Sequence, residues 1–324
     1  MEKEVFIVGA GPAGLTAAIN LRRECFKVTV AEQEEQVGGN PEWHPSAHTT
    51  PLRAKETWDY IGIDCSPCFF DISERLLLVM GGQRIPLSKT PDPTFTCERG
   101  SRPTSLDYFL YRIAEREGVK FEFGRKIDKD DLDKAPKYTI LATGLTPSMY
   151  SILEKPFSRY MGYHAFHDHP AGRADAAIYL GGLGKEYGYS SACNGIWYVL
   201  LFSRNELPKE TLGKFEEMLR KFEGKEVSEW RRFAGASPKS GPELIHNDRF
   251  ILTGTLAGFI ETNLGFGITG ALISGKIAAM AVTEPDKARA EFHSFTKGIP
   301  AMIEKRKKGQ AGLMFKLGKI WFDI

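Results

Sequence analysis

Gly9, Gly11 and Gly14 follow directly on the apolar run 5–8, and Glu32 closes a second β-rich run, 27–31. That spacing can hold the pyrophosphate of a dinucleotide. Gly9 permits a tight turn out of a strand, Gly11 lets the backbone approach a pyrophosphate, and Gly14 lets the next helix lie close against the strand. Pro12 and Ala13 open that helix, where free N–H groups and the helix dipole favour negative charge. Glu32 is placed to accept hydrogen bonds from an adenosine ribose. Strand, glycine loop, helix, strand and acid fall in the order that an isolated GxGxxG lacks.

Composition narrows the classes. The 324 residues suffice for one large or two modest domains, and 42% hydrophobic with 26% charged residues is ordinary globular usage. A formal charge of +2 is too small to imply a nucleic-acid partner. Charged Glu2, Lys3 and Glu4 lead straight into the first strand, so no secretory signal is expected. No apolar run reaches the roughly 20 residues of a membrane span. The nearest, 262–275, is short and glycine-rich. Five cysteines without a signal point to a reducing, cytoplasmic setting. Cys65 and Cys68 form a CxxC, but no second ligand pair stands at zinc spacing. The motif lies between Asp64 and Phe69 rather than at a helix start, so two buried thiols and no metal are expected.

The elements needed to position this chemistry can be read in turn. Residues 40–52 read as a loop carrying Trp43, His44, His48, Thr49 and Thr50. Runs 76–80 and 83–87 flank Gly81-Gly82 as a hairpin. Helical spacing marks 105–118, with Ser105 as N-cap, and 207–223. Short strands are expected at 119–123, 138–142 and 249–253, and antiparallel strands at 173–180 and 187–203. A glycine-opened helix covers 265–283. The implied fold is α/β: a Rossmann-like dinucleotide domain from 1–75, 98–150 and 245–290, an inserted β-rich substrate domain from 76–97 and 151–244, and a helical tail at 291–324.

Glu32 is followed after four residues by Val37-Gly38-Gly39, which resembles the extended FAD fingerprint of the glutathione-reductase superfamily. A strand ending in Ala142-Thr143-Gly144, Arg99-Gly100 ahead of Ser105-Leu106-Asp107, and the stretch 251–276 extend the likeness. Together they resemble the geranylgeranyl reductase-like family of FAD-dependent oxidoreductases, within the p-hydroxybenzoate hydroxylase-type fold. The resemblance covers most of 1–285 and is thin over 150–245. It implies FAD contacts from Gly9, Gly11, Pro12, Ala13, Gly14, Glu32, Gln33, Gly39, Arg99, Ala142, Thr143, Gly144, Gly254 and Thr255. Gly265, Gly267 and Ile268 would turn a helix N-terminus towards the flavin ring, where N–H groups stabilise negative charge. An acid normally follows Gly254 in such proteins, and Thr255 stands in its place.

The activity so implied is hydride transfer from reduced flavin N5 to a carbon–carbon double bond of an apolar, isoprenoid-like substrate. Its proton donor would come from His48, His44, Tyr187, Tyr189 or Cys193. Flavin monooxygenase, oxidase or desaturase chemistry are the alternatives, and so is an FAD-binding protein without catalysis. NAD(P)H or a ferredoxin-type protein would supply electrons, since no second nucleotide fingerprint is present. The basic, aromatic tail from Lys305 to Phe322 is read as docking on its own fold or on a partner subunit of a homo-oligomer. Peripheral contact with an anionic membrane is the other reading.

Overall fold

The computed structural model describes residues 3–87, 92–170, 172–183, 187–203, 207–261 and 265–307. Three sheets carry the fold. A six-stranded sheet has the order β15 (Ile245–His246), β16 (Phe250–Leu252), β9 (Thr139–Leu141), β1 (Glu4–Val8), β2 (Lys27–Ala31), β8 (Lys120–Glu122). All its pairings are parallel except β15–β16. A seven-stranded sheet runs β14 (Arg231–Pro238), β10 (Phe157–Asp168), β13 (Ile196–Ser203), β12 (Tyr187–Cys193), β11 (Asp175–Leu180), β5 (Leu76–Met80), β6 (Gln83–Pro86). A three-stranded sheet runs β3 (Ser46–Pro51), β7 (Thr94–Arg99), β4 (Phe69–Asp71). The helices are α1 (Pro12–Arg23), α2 (Ala54–Ile61), α3 (Leu106–Arg116), α4 (Lys129–Asp133), α5 (Pro147–Ile152), α6 (Lys209–Glu223), α7 (Ile268–Thr283), α8 (Pro285–Thr296) and α9 (Ile299–Lys307).

The parallel strands are apolar runs because they are buried in the core, with α1 packed against β1 and β2. Val5, Ile7 and Val8 of β1 are buried, as are Leu15, Ala18 and Ile19 of α1. The next strand after β1, β2, lies on one side of it, and the later β9 lies on the other. A crevice therefore opens at the carboxyl ends of β1 and β9, where α/β proteins bind ligands. The largely apolar α7 packs against α1, with Gly275 at a close approach. A Cβ on Gly275 would stand 2.4 Å from the Ala13 carbonyl oxygen.

In the seven-stranded sheet, alternation sorts the side chains. Tyr179, Trp197, Val199 and Leu201 pack against Phe215 and Leu219 of α6. Phe215 occupies the space beside Gly188, where a Cβ would lie 2.3 Å from its ring. Glu223 ends α6 and fastens it: its carboxylate accepts hydrogen bonds from Tyr179 Oη, from Ser190 Oγ at 2.5 Å and from Trp197 Nε1 at 2.8 Å.

The hairpin at Gly81-Gly82 forms, with both glycines at positive φ, +59° and +79°. Segment 40–52 is not all loop, because residues 46–51 form β3, paired antiparallel with β7. Strands β10 and β14 also lie in stretches where no element was expected. Strand β7 runs across the expected 97/98 boundary, and α8 runs across 290/291. Residues 308–324, which hold most of the basic tail, lie outside the described residues. Among the described residues no helix is long and apolar enough to cross a membrane.

Candidate active site

Four of the parallel strands lead into the walls of a single cleft of about 960 Å³. Val8 and Gly9 come from the end of β1, Glu32 and Gln33 from β2, Ala142–Gly144 from β9, and Gly254 and Thr255 from β16. Gly9 sits at φ +105°, and a Cβ there would meet the Ala142 carbonyl oxygen at 2.7 Å. Gly14 is tighter: its Cβ would lie 2.1 Å from the Gly9 carbonyl oxygen. Gly14 does not line the cleft; it lets α1 start close to the strand. Gly11 is different, for a Cβ there meets nothing within 4 Å and Gly11 borders open cleft. As the N-cap of α1 it brings no capping side chain, so the first-turn N–H groups are left for a ligand.

Glu32 holds this corner. It accepts from the Ala10 N–H at 2.8 Å and the Glu34 N–H at 3.0 Å. Burial raises its carboxyl pKa, against the pull of those two N–H bonds. Gly39 lies outside the cleft wall. Its neighbour Gly38, at φ +59°, is the position of closest approach, with a Cβ that would stand 2.3 Å from the Gly100 carbonyl carbon. The Val37-Gly38-Gly39 signature thus fastens its loop to Arg99-Gly100.

Arg99 lines the cleft, but its fork is engaged elsewhere. Nε and Nη2 donate to Asp107 at 2.6 and 2.8 Å, and the Gly100 N–H donates to the same carboxylate at 3.0 Å. Burial alone would raise Asp107, yet the guanidinium and these bonds outweigh it and hold the carboxyl below its usual range. The bidentate fork of Arg99, expected among the FAD contacts, is made on Asp107. Asp107→Asn is expected to cost about 3–5 kcal/mol in urea unfolding, because it strands a guanidinium that is 15% exposed. Arg99→Met/Asp107→Leu should recover much of that loss.

At the other end, the N-terminus of α7 faces the cleft through Gly265, Gly267 and Ile268. Gly265 takes φ +75°, and its Cβ position lies 3.8 Å from Tyr187 Oη. No side chain caps α7. Opposite stands an aromatic wall from the seven-stranded sheet: Tyr160, Tyr187, Tyr189, Tyr198, Phe202 and, from β14, Phe233. Strand β3 is sewn between wall and helix. Thr49 Oγ1 meets Tyr189 Oη at 2.6 Å, and Thr50 Oγ1 meets Thr269 Oγ1 of α7 at 2.9 Å.

His44 and His48 both line the cleft. Burial, and then the Arg99 charge, pushes His44 down to about 4 and His48 down to about 3. Both are neutral imidazoles at pH 7, so neither serves as an imidazolium acid. Tyr187 and Tyr189 stand in the wall, but Cys193 does not. It lies in a buried apolar cluster with Ile72 and Ile196, its thiol pushed up to about 12 by burial, and cannot reach a molecule in the cleft. Burial likewise raises Cys65, and Cys68 to about 12, so the CxxC pair are core thiols.

The structure adds Ser46, Trp43, His164, Tyr198, Arg125 and Lys126 to the site or its wall. Alternation along 160–164 would have revealed Tyr160 and His164 had that stretch been read as a strand. The spacing His44-x-Ser46-x-His48 carries the same period of two.

The cavity fits a long nucleotide such as FAD. Two uncapped helix N-termini and four glycine turns, at Gly9, Gly144, Gly254 and Gly265, border it, and Thr143 Oγ1 lies buried there without a protein partner. Residues 7–42 match the family described as NAD(P)-binding Rossmann-like domain. Flavin-containing monooxygenase FMO GS-OX3 of Arabidopsis thaliana is 46% identical over 55 residues, which is 17% of this chain and 12% of that protein. The matched stretch spans only 3–12% of the curated relatives' own length. Similarity of fold reaches much further. A geranylgeranyl bacteriochlorophyll reductase-like protein of Thermoplasma acidophilum superposes with TM-score 0.63 at 17% identity, covering 95% of this chain and 83% of that one. A 2-methyl-3-hydroxypyridine-5-carboxylic acid oxygenase superposes with TM-score 0.67 at 14% identity, covering 97% and 94%. The chain carries the fold of FAD-dependent oxidoreductases.

Proposed function

We propose that this protein binds FAD along the cleft and passes a hydride from the reduced flavin to a carbon–carbon double bond of an apolar substrate held against the aromatic wall. One observation carries the reading: a dinucleotide corner, a second helix N-terminus and an apolar, aromatic face share one continuous cleft. Bound FAD supplies the two-electron chemistry. The protein's part is to seat the pyrophosphate on α1, to present the α7 N-terminus to the ring, and to keep water from the reacting atoms.

In this reading the FAD portion comprises residues 1–75, 98–150 and 245–290, and 76–97 with 151–244 hold the substrate. NAD(P)H or a ferredoxin-type protein reduces the flavin. The substrate is isoprenoid-like, and the chain associates with copies of itself in a cytoplasmic setting. A monooxygenase is the second reading, favoured by the close likeness of fold to an oxygenase.

The purified protein is expected to show a flavin visible spectrum, or to acquire one with added FAD. Anaerobic NADH, NADPH and dithionite then identify the donor. Incubation of the reduced protein with farnesol, with and without oxygen, separates saturation from oxygen insertion. A protein that takes up no FAD overturns the proposal. FAD uptake with oxygen-dependent product alone transfers it to the second reading.

A further inference from the structure

We propose that His44, Ser46 and His48 form a proton relay along the cleft wall, with His48 delivering the proton to the bound substrate. The proposal rests on the flavoenzyme reading for the chemistry it serves, but its geometry stands without it. Ser46 Oγ lies 3.0 Å from His44 Nδ1 and 2.9 Å from His48 Nε2. Ser46 is fully buried and its hydroxyl bridges the two rings. Strand periodicity brings Ser46 and His48 to one face of β3, and pairing with β7 fixes the register: Ser46 stands opposite Arg99 and His48 opposite Cys97. His48 also lies over the Tyr198 ring, at a centroid distance of 6.2 Å, which orients the imidazole.

A hydroxyl with one hydrogen, set between two ring nitrogens, lets the chain run only one way at a time, and the relay takes the direction that leaves a proton on His48 Nδ1. His44 Nδ1–H donates to Ser46 Oγ, and Ser46 Oγ–H donates to His48 Nε2. His48 then carries its own proton on Nδ1, the ring edge left for the cleft. When that Nδ1–H bond breaks towards the substrate, Ser46 gives its hydrogen to Nε2 and receives one from His44 Nδ1. His44 takes a replacement at Nε2 from water at the cleft mouth, which leaves as hydroxide to the solvent. Each bond broken is matched by one formed, and one proton moves while every ring ends neutral. Saturation of a double bond needs this proton at one carbon once the other has received hydride. The electron pair comes from flavin reduced by a nicotinamide or ferredoxin-type donor.

The charged and titratable groups acting on the pair are Arg99, Asp107 and His164. Arg99 disfavours an imidazolium on either ring, which suits a chain that conducts through neutral tautomers. Ser46 is a positioning residue here, and His48 is the group that touches substrate.

Two measurements on the full chain decide the matter. In protein labelled with ¹⁵N-histidine, His44 and His48 are both expected as neutral Nδ1–H tautomers from pH 6 to 8. Free imidazole side chains prefer Nε2–H, so this signature is diagnostic. Ser46→Ala should return one or both rings to Nε2–H, and Ser46→Thr should restore the wild-type pattern. In FAD-loaded protein reduced with dithionite, reoxidation by oxygen consumes a proton. Ser46→Ala should slow it roughly 10- to 100-fold and change its solvent isotope effect, as expected for loss of general acid catalysis. Wild-type rings on Nε2–H, or a Ser46→Ala protein with unchanged tautomers and unchanged reoxidation, would overturn the relay. Failure to bind FAD would overturn the functional reading alone, since the tautomers are measured without flavin.

Discussion

Gly11→Val is expected to fold like the wild type and to lose FAD, whereas Gly14→Val is expected not to fold. The two glycines stand three residues apart, at the N-cap and in the first turn of α1, and differ in what surrounds them. At Gly11 the backbone is extended, φ −79°, and no protein atom lies within 4 Å of an added Cβ. A valine there fills the space above the first turn of α1, where the pyrophosphate would lie. The cost is one of binding, about 2–3 kcal/mol, or roughly 30- to 150-fold in affinity. At Gly14 the Cβ would stand 2.1 Å from the Gly9 carbonyl oxygen and 3.2 Å from Ala142 Cβ. The Gly9 backbone cannot yield, so α1 must leave β1 and the core between them opens. Circular dichroism and urea unfolding measure the fold, and flavin fluorescence titration measures the binding. A Gly11→Val protein that binds FAD as tightly as wild type removes the pyrophosphate from this corner.

Acid should unfold the protein well before its carboxylates are neutralised. His164 is 1% exposed, and burial holds its pKa down at about 4. With His44 at about 4 and His48 at about 3, three imidazoles stay neutral in the fold where the unfolded chain would protonate them near 6.5. Below pH 6.5 the unfolded state binds more protons, so stability falls as pH falls through this window. At pH 5 the buried His164 accounts for about 2 kcal/mol, and the half-buried His44 and His48 for about 1 kcal/mol each. That sum is a large part of an ordinary net stability of roughly 5–15 kcal/mol. Burial raises Glu32 and Glu98, which gives the opposite sign over the carboxylate range and blunts the loss. Asp107, held low by Arg99, titrates below this window and does not contribute to it. Urea midpoints should drop steadily from pH 7 to pH 5, and His164→Gln should flatten the slope by about half. A midpoint unchanged over that range would refute the account.

How much of the site was legible depended on whether its residues lie near one another in the chain. The dinucleotide corner is local: Gly9, Gly11, Gly14 and Glu32 belong to one strand–helix–strand unit. Its spacing is set by backbone geometry that any such unit must satisfy, so residue types alone reveal it. The burial of the CxxC pair was also legible, because Phe69-Phe70 follow it directly. The aromatic wall was not. Tyr160 and Tyr198 come from strands separated by tens of residues, and only sheet pairing brings them to one face. The segment 40–52 misled because Pro45 and the small polar residues after it resemble a turn. Its strand is formed by partners from β7, not by its own propensity. Cys193 failed as a candidate for the same reason, since neighbours distant in sequence enclose it.

The sequence by itself determined the cofactor corner, the α/β class and the glycine helix at 268–283, because these follow from local steric rules and periodicity. Only the tertiary structure decided how the rest is used. It showed that Arg99 grips Asp107, that His44 and His48 are neutral and joined through Ser46, and that the cleft ends on an aromatic wall. Charge pairing, desolvation and hydrogen bonding between side chains depend on distances in space, and those are set when separate sheets pack together.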